Sequence, residues 1–157
     1  MQFLDGASLE ALSAQAAASP RLRTNRNFHS DSAAAVQRLA IAMEPGTYVR
    51  PHRHEGTWEL LMPLSGAFEL IEFDETGTVR ARYRMGEGGA AVLEMPAGTW
   101  HSVIALKPGS VVFEVKEGPY LPPGATKAAW SPEEGDVRVP GMMAFLTNAA
   151  PGERFGA

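Results

Sequence analysis

The chain contains no cysteine. A disulfide framework, a thiolate metal site and a cysteine nucleophile are excluded together, so any bound metal must be held by His, Asp or Glu. Long apolar runs are also missing. No stretch approaches the roughly 18 consecutive apolar residues of a membrane span. The opening residues, MQFLDGASLEALSAQAAAS, have neither the basic region nor the apolar segment of a signal peptide. There is no basic run either. The arginines are scattered and the formal net charge is -4, so the electrostatic footprint of a nucleic-acid binder is absent. These absences lead to the expectation of a cytoplasmic protein with neither a nucleic-acid nor a membrane partner.

What is present fits one ordinary domain. The 157 residues suffice for a real core, and 45% hydrophobic content lies in the globular range. Residues 8–18 read as a short helix. Ser8 is its expected N-cap, and Leu9, Leu12 and Ala16 share one face. Residues 21–29 follow. If they are extended, Arg23, Asn25 and His29 share a side, which either forms a polar exposed edge or lines a polar ligand cavity.

The middle of the chain reads as eight or nine short strands. They are separated by Gly, Pro and Asp turns every 8 to 12 residues, which is the pattern of an all-β sandwich or barrel. VQRLAIAM (36–43) is a β-rich apolar strand ended by Glu44-Pro45-Gly46. A strand from Thr47 to His54 comes next, then 60–64, 67–73, 78–85, 91–95, 100–106 and 110–116. On the fifth of these strands Arg80, Arg82 and Arg84 alternate and read as a solvated face. The pattern fades after Gly124. Trp130 and Pro132 are expected to cover one end of the barrel. The apolar piece 141–149 is expected to pack back on the barrel or to meet a second subunit, with Met142, Met143, Phe145 and Leu146 as the contact. The resulting organisation is an N-terminal helix in 1–20, a β-barrel in 21–125 and a C-terminal extension in 126–157.

The chemistry is concentrated in GTYVRPHRHEGTWELLMPLSG, Gly46 to Gly66. His52 and His54 are two apart, so on an extended strand their imidazoles share a face. Glu55-Gly56-Thr57 turns the chain back and brings the carboxylate of Glu59 opposite them. A third imidazole, His101, enters from the Pro96-Ala97-Gly98 turn in PAGTWH. Three imidazoles and one carboxylate suit a single divalent transition metal: Fe, Mn, Ni, Co or Zn. Parity along Thr47–His54 would also send Tyr48 and Arg50 toward the metal, unless a twist or bulge near Pro51 breaks it.

The order G-x5-HxH-x4-E-x6-G followed by PxGxxH resembles the two motifs of the cupin superfamily. The first is complete from Gly46 to Gly66. The second is partial, with Ala90 and Ala105 where a glycine and an asparagine are expected. The segments RLRTNRNFH, VQRLAIAMEPGTYVRPHRH, WELLMPLSG, LEMPAGTWHS, EVKEGPY and AAWSPEEG together resemble the WbuC family of cupin-fold metalloproteins, over roughly residues 8–135. That resemblance implies a single jelly-roll-like cupin barrel, with relatives in bacterial surface-polysaccharide gene clusters and no established reaction. Cupins of this size are commonly homodimers, which is the expectation here.

Around the metal, Arg23, Asn25, His29, Arg50 and Lys116 are the candidate substrate-binding groups, and Tyr48 is the candidate proton-transfer residue. Arginine grips carboxylate and phosphate in a bidentate way. The functional expectation is metal-dependent chemistry on a small carbohydrate-like anion, a sugar acid or sugar phosphate, of isomerase or epimerase type. The alternatives are a non-catalytic binding or sensing module and an Fe(II)-dependent dioxygenase.

Overall fold

The computed structural model of the protein describes residues 1–120 and 124–156. Helix α1 (Gly6–Ala18) is followed by strands β1 (Arg23–Asn27), β2 (Val36–Met43), β3 (His52–Arg53), β4 (Glu59–Ser65) and β5 (Ala67–Phe73). Then come β6 (Val79–Gly86), β7 (Leu93–Met95), β8 (Trp100–Ala105), β9 (Ser110–Glu117), β10 (Thr126–Lys127) and helix α2 (Val139–Asn148). The strands form two antiparallel five-stranded sheets, ordered β1-β2-β9-β4-β7 and β10-β3-β8-β5-β6. This is the expected all-β jelly-roll architecture with a short helix before it and a small one after it.

Side-chain alternation sorts each strand into an inner and an outer face. On β2, Met43 points into the barrel, while Ala40 and Ala42 lie outside beneath α1. On β5, Phe68 and Leu70 go inward, and Ile71 and Phe73 go outward. The inward set, with Leu61, Met85, Met95, Val103 and Val112, fills one end of the barrel with hydrocarbon. The other end is left for polar groups. Helix α1 closes the outer face of the first sheet by burying Leu12 and Ala16 against Ala40, Ala42 and Val111. It begins one turn earlier than its sequence implies. Asp5, not Ser8, caps it, accepting a hydrogen bond from the Ser8 amide at 2.9 Å.

Gly66, which ends the first motif, has φ 70° and sits against Ser110. A Cβ there would fall on the Ser110 side chain, so the β4–β5 turn requires glycine.

Several expectations need correction. The strand through 47–54 is reduced to His52–Arg53, because residues 44–51 form a turn and then irregular chain. The barrel does not end at 125: Thr126 and Lys127 pair with Arg53 and His52 and add a strand to the second sheet. Arg82 is not simply solvated. It donates to the carbonyls of Leu146 and Ala149, each at 2.8 Å, and pairs with Glu69, so it holds the C-terminal end of α2. Met142 and Leu146 are fully buried against Ile71, Phe73, Val79 and Ile104 of their own chain. Of the two expectations for this piece, packing back on the barrel is the one that Met142 and Leu146 fulfil. Trp130 packs on Phe73 and Trp100 of the same cluster, so it covers the outer face of the second sheet and not an end of the barrel. Among the described residues no helix is long and apolar enough to cross a membrane.

Candidate metal centre

The ladder between β3 and β8 makes His52 and His101 registered cross-strand partners. Residues opposite one another on an antiparallel pair present their side chains to the same face, so two imidazoles meet from segments about fifty positions apart. His54 follows immediately after β3. Glu59 opens β4 in the facing sheet, where it is paired with Met95 of β7 and Lys116 of β9. The four side chains thus converge from both walls of the barrel.

Each imidazole has its Nδ1 against a backbone carbonyl. His52 is 2.9 Å from Arg50 O, His54 is 2.8 Å from Gly124 O and His101 is 2.9 Å from Thr99 O. A carbonyl only accepts, so in all three rings Nδ1 carries the hydrogen and donates it. The neutral ring then leaves a lone pair on Nε2. His54 Nε2 lies 3.1 Å from Glu59 Oε1, and His101 Nε2 lies 3.2 Å from Glu59 Oε2. Lone pairs on nitrogen thus face lone pairs on an ionised carboxylate, an arrangement that needs a cation between them. Ligand atoms of His52, His54 and Glu59 lie within 4.8 Å of one another, and His101 comes in on the far oxygen of Glu59.

Ionisation states agree with this donor set. Burial, with the charges of His101 and Lys127 nearby, holds His52 well below the ordinary imidazole range, which keeps it neutral. Burial alone would raise Glu59. Positive charge and protons on the His101, His54 and Lys116 side of the carboxylate outweigh it and hold Glu59 far below its usual range; a bound cation would supply that positive charge with the rings neutral. Neutral imidazoles and an anionic oxygen are the forms a divalent transition metal binds, so the residues present fit such an ion.

Above His52, Glu59 and His101 opens a cavity of about 770 Å³. One wall is apolar, with Met43, Leu61 and Val103, and the mouth carries Arg23, Arg50 and Lys127. The sequence-derived candidates divide here. Arg23, Asn25 and Arg50 do line the cavity. Arg23 donates to Tyr48 O at 2.6 Å and pairs with Glu134 at 2.6 Å. Arg50 donates to Ser131 Oγ at 3.1 Å and Ala128 O at 3.2 Å, with Glu133 at 3.4 Å. Asn25 is exposed and bonds to Asn27.

The other three lie elsewhere. His29 accepts from the Arg38 amide at 3.0 Å at the far end of the β1–β2 pair. Lys116 turns to Glu59 and Glu114. Tyr48 is corrected as a proton-transfer residue: its ring joins the outer core, and its hydroxyl donates to Pro132 O at 2.8 Å. The parity that linked it to the histidines fails where the chain leaves extended geometry before Pro51.

Sequence reasoning missed Lys127, Glu133 and Glu134 at the mouth, and Glu114 on the wall. Glu114 was detectable, since it alternates with Lys116 on β9. Lys127 sits on a two-residue strand that carries no periodic signal.

A family model described as "Domain of unknown function (DUF6016)" matches residues 4–85, just over half of the chain. None of the curated proteins matches. Several solved structures resemble this one in fold. Protein SO0799 from Shewanella oneidensis is 12% identical, with 82% of this chain and 87% of that chain covered and a TM-score of 0.57. CapF, solved with the inhibitor 3-isopropenyl-tropolone, is 17% identical, with 66% and 30% covered and a TM-score of 0.56. An oxalate decarboxylase is 17% identical, with 77% and 32% covered and a TM-score of 0.50. This chain spans about a third of the last two proteins. At these identities the likeness is one of fold.

Proposed function

The chain belongs to the DUF6016 family, and we propose that this member is a metal-dependent enzyme acting on a small, carbohydrate-like organic anion. The observation that carries the reading is the donor set. Three Nδ1–H groups are anchored on backbone carbonyls, and the opposite nitrogens gather around one ionised carboxylate at the foot of a cavity whose mouth carries Arg23, Arg50 and Lys127 beside Glu133 and Glu134. His52, His54, Glu59 and His101 would hold the ion. When bound, a divalent metal supplies Lewis acidity toward a carbonyl or hydroxyl oxygen.

The chain's own groups do the rest. Arg23, Arg50 and Lys127 at the mouth attract and orient a carboxylate or phosphate. The Met43, Leu61 and Val103 wall keeps water from one side of the ligand. With Tyr48 engaged elsewhere, proton transfer falls to Glu114. Its Oε1 is buried and lacks a well-aligned hydrogen bond, although Lys116 Nζ is 2.7 Å away; that contact is one of charge. Such groups suit isomerase or epimerase chemistry on a sugar acid or sugar phosphate. The resemblance of the sequence segments to the WbuC family extends the proposal to surface-polysaccharide metabolism.

The test is to load the protein with a divalent metal and incubate it in deuterated water with a panel of sugar acids and sugar phosphates. The readout is NMR of solvent deuterium entering a carbon-bound position. Exchange that is lost in Glu114→Gln at metal concentrations that saturate the variant supports the proposal. Tight binding without exchange selects a binding module, and substrate-dependent oxygen uptake selects a dioxygenase.

A further inference from the structure

The register of β4 against β9 places Lys116 directly across from Glu59, and Glu114 across from Leu61. Residues two apart on a strand share a face, so Glu114 and Lys116 point inward together, beside the metal-binding carboxylate. Lys116 Nζ lies 3.2 Å from Glu59 Oε1 and 2.7 Å from Glu114 Oε1. The three side chains are 15%, 5% and 12% exposed, so solvent screens these contacts little. A lysine so close to a metal ligand opposes the binding of a divalent cation. The carboxylate on its other side offsets that opposition.

We propose that Lys116 is a positioning residue for the metal centre. It competes with the ion for Oε1 of Glu59, the oxygen that also lies 3.1 Å from His54 Nε2, while Glu114 balances the lysine's charge. This rests on the metal reading above. Its consequence is that the lysine would weaken the hold of Glu59 on an ion and Glu114 would restore it, so the pair sets the metal affinity of the site. The reading also reassigns Lys116 from substrate contact to control of the ligand itself.

The proposal differs from a purely structural ion pair in the sign of two effects. If Lys116 and Glu114 only support the fold, removing either weakens the site in the same direction. If they act on the metal, the signs are opposite. The probe is Co(II) alone, with affinity measured by competition with a chelator for wild type, Lys116→Met and Glu114→Gln. Lys116→Met should bind Co(II) about tenfold more tightly, and Glu114→Gln about tenfold more weakly, because each leaves one uncompensated charge near the ion. Affinities that move the same way, or do not move, overturn the proposal.

The wild type provides a second measurement that does not depend on the variants folding. With 15N-labelled lysine, NMR of the Zn(II)-loaded and metal-free protein follows the Lys116 ammonium. Competition for Oε1 predicts that loading frees the ammonium from Glu59 and speeds its hydrogen exchange. Exchange that is unchanged on loading contradicts the proposal. A wild type that takes up no Co(II) overturns the metal reading itself, and this inference with it.

Discussion

His52 and His101 face each other across the β3–β8 ladder, with ring centroids 4.4 Å apart and ring planes inclined by 55°. This pairing ties the two halves of the site together. One half is carried by the Gly46–Gly66 stretch and the other by a turn some forty residues later. Replacing His101 therefore removes a ligand without disturbing the hairpin that holds His52, His54 and Glu59. His101→Ala should lower metal affinity by about a hundredfold or more while leaving the far-ultraviolet circular dichroism unchanged. Equilibrium dialysis alongside the spectrum checks both halves of that statement.

Tyr48 donates to Pro132 O in a buried setting on the outer core. Tyr48→Phe removes one hydrogen bond and keeps the ring. It should cost about 1 kcal/mol in urea denaturation and leave metal content as in wild type. A loss of metal or of ligand binding in this variant would restore the residue to the site.

The same tyrosine shapes the alkaline limit of stability. Burial pushes its phenol up to about 12, against about 10 in the unfolded chain. Between these values the unfolded state loses the proton while the folded state keeps it. The stabilisation is therefore complete below about pH 10 and is lost as pH rises toward about 12. Stability measured against pH should show this decline in wild type, and the decline should be shallower in Tyr48→Phe.

Arg82 fastens the C-terminal helix by donating to Leu146 O and Ala149 O. The last carbonyls of a helix are its negative end, and a guanidinium there satisfies both their hydrogen bonds and their charge. Arg82→Met should cost about 2 kcal/mol. Hydrogen exchange should rise across residues 139–149 and stay at wild-type levels in β4, β8 and β9. Leu146→Ala, which empties a fully buried position beneath the same helix, should cost roughly 3 kcal/mol.

The sequence made the metal ligands legible for a physical reason. His52, His54 and Glu59 lie on one hairpin, and His101 follows a Pro-Ala-Gly turn, so local geometry alone nearly determines where they point. The strands were legible from alternation, as in VQRLAIAM, where inward and outward residues differ in size. What failed depended on long-range contacts. Thr47 leaves the strand because its hydroxyl donates to Leu22 O and Glu44 O at 2.6 and 2.7 Å, and Tyr48 then swings out to Pro132. Arg82 is held by a helix more than sixty residues away. Lys127 reaches the cavity through a two-residue strand that pairs with β3. None of these partners can be read from neighbouring residues.

The central claim is that His52, His54, Glu59 and His101 hold one metal ion. The direct test is elemental analysis of purified wild type beside His52→Ala/His101→Ala, each after equilibration with a divalent transition metal and removal of the excess. One ion per chain in wild type and nearly none in the double variant is the predicted result. Equal metal content in the two proteins would contradict the account.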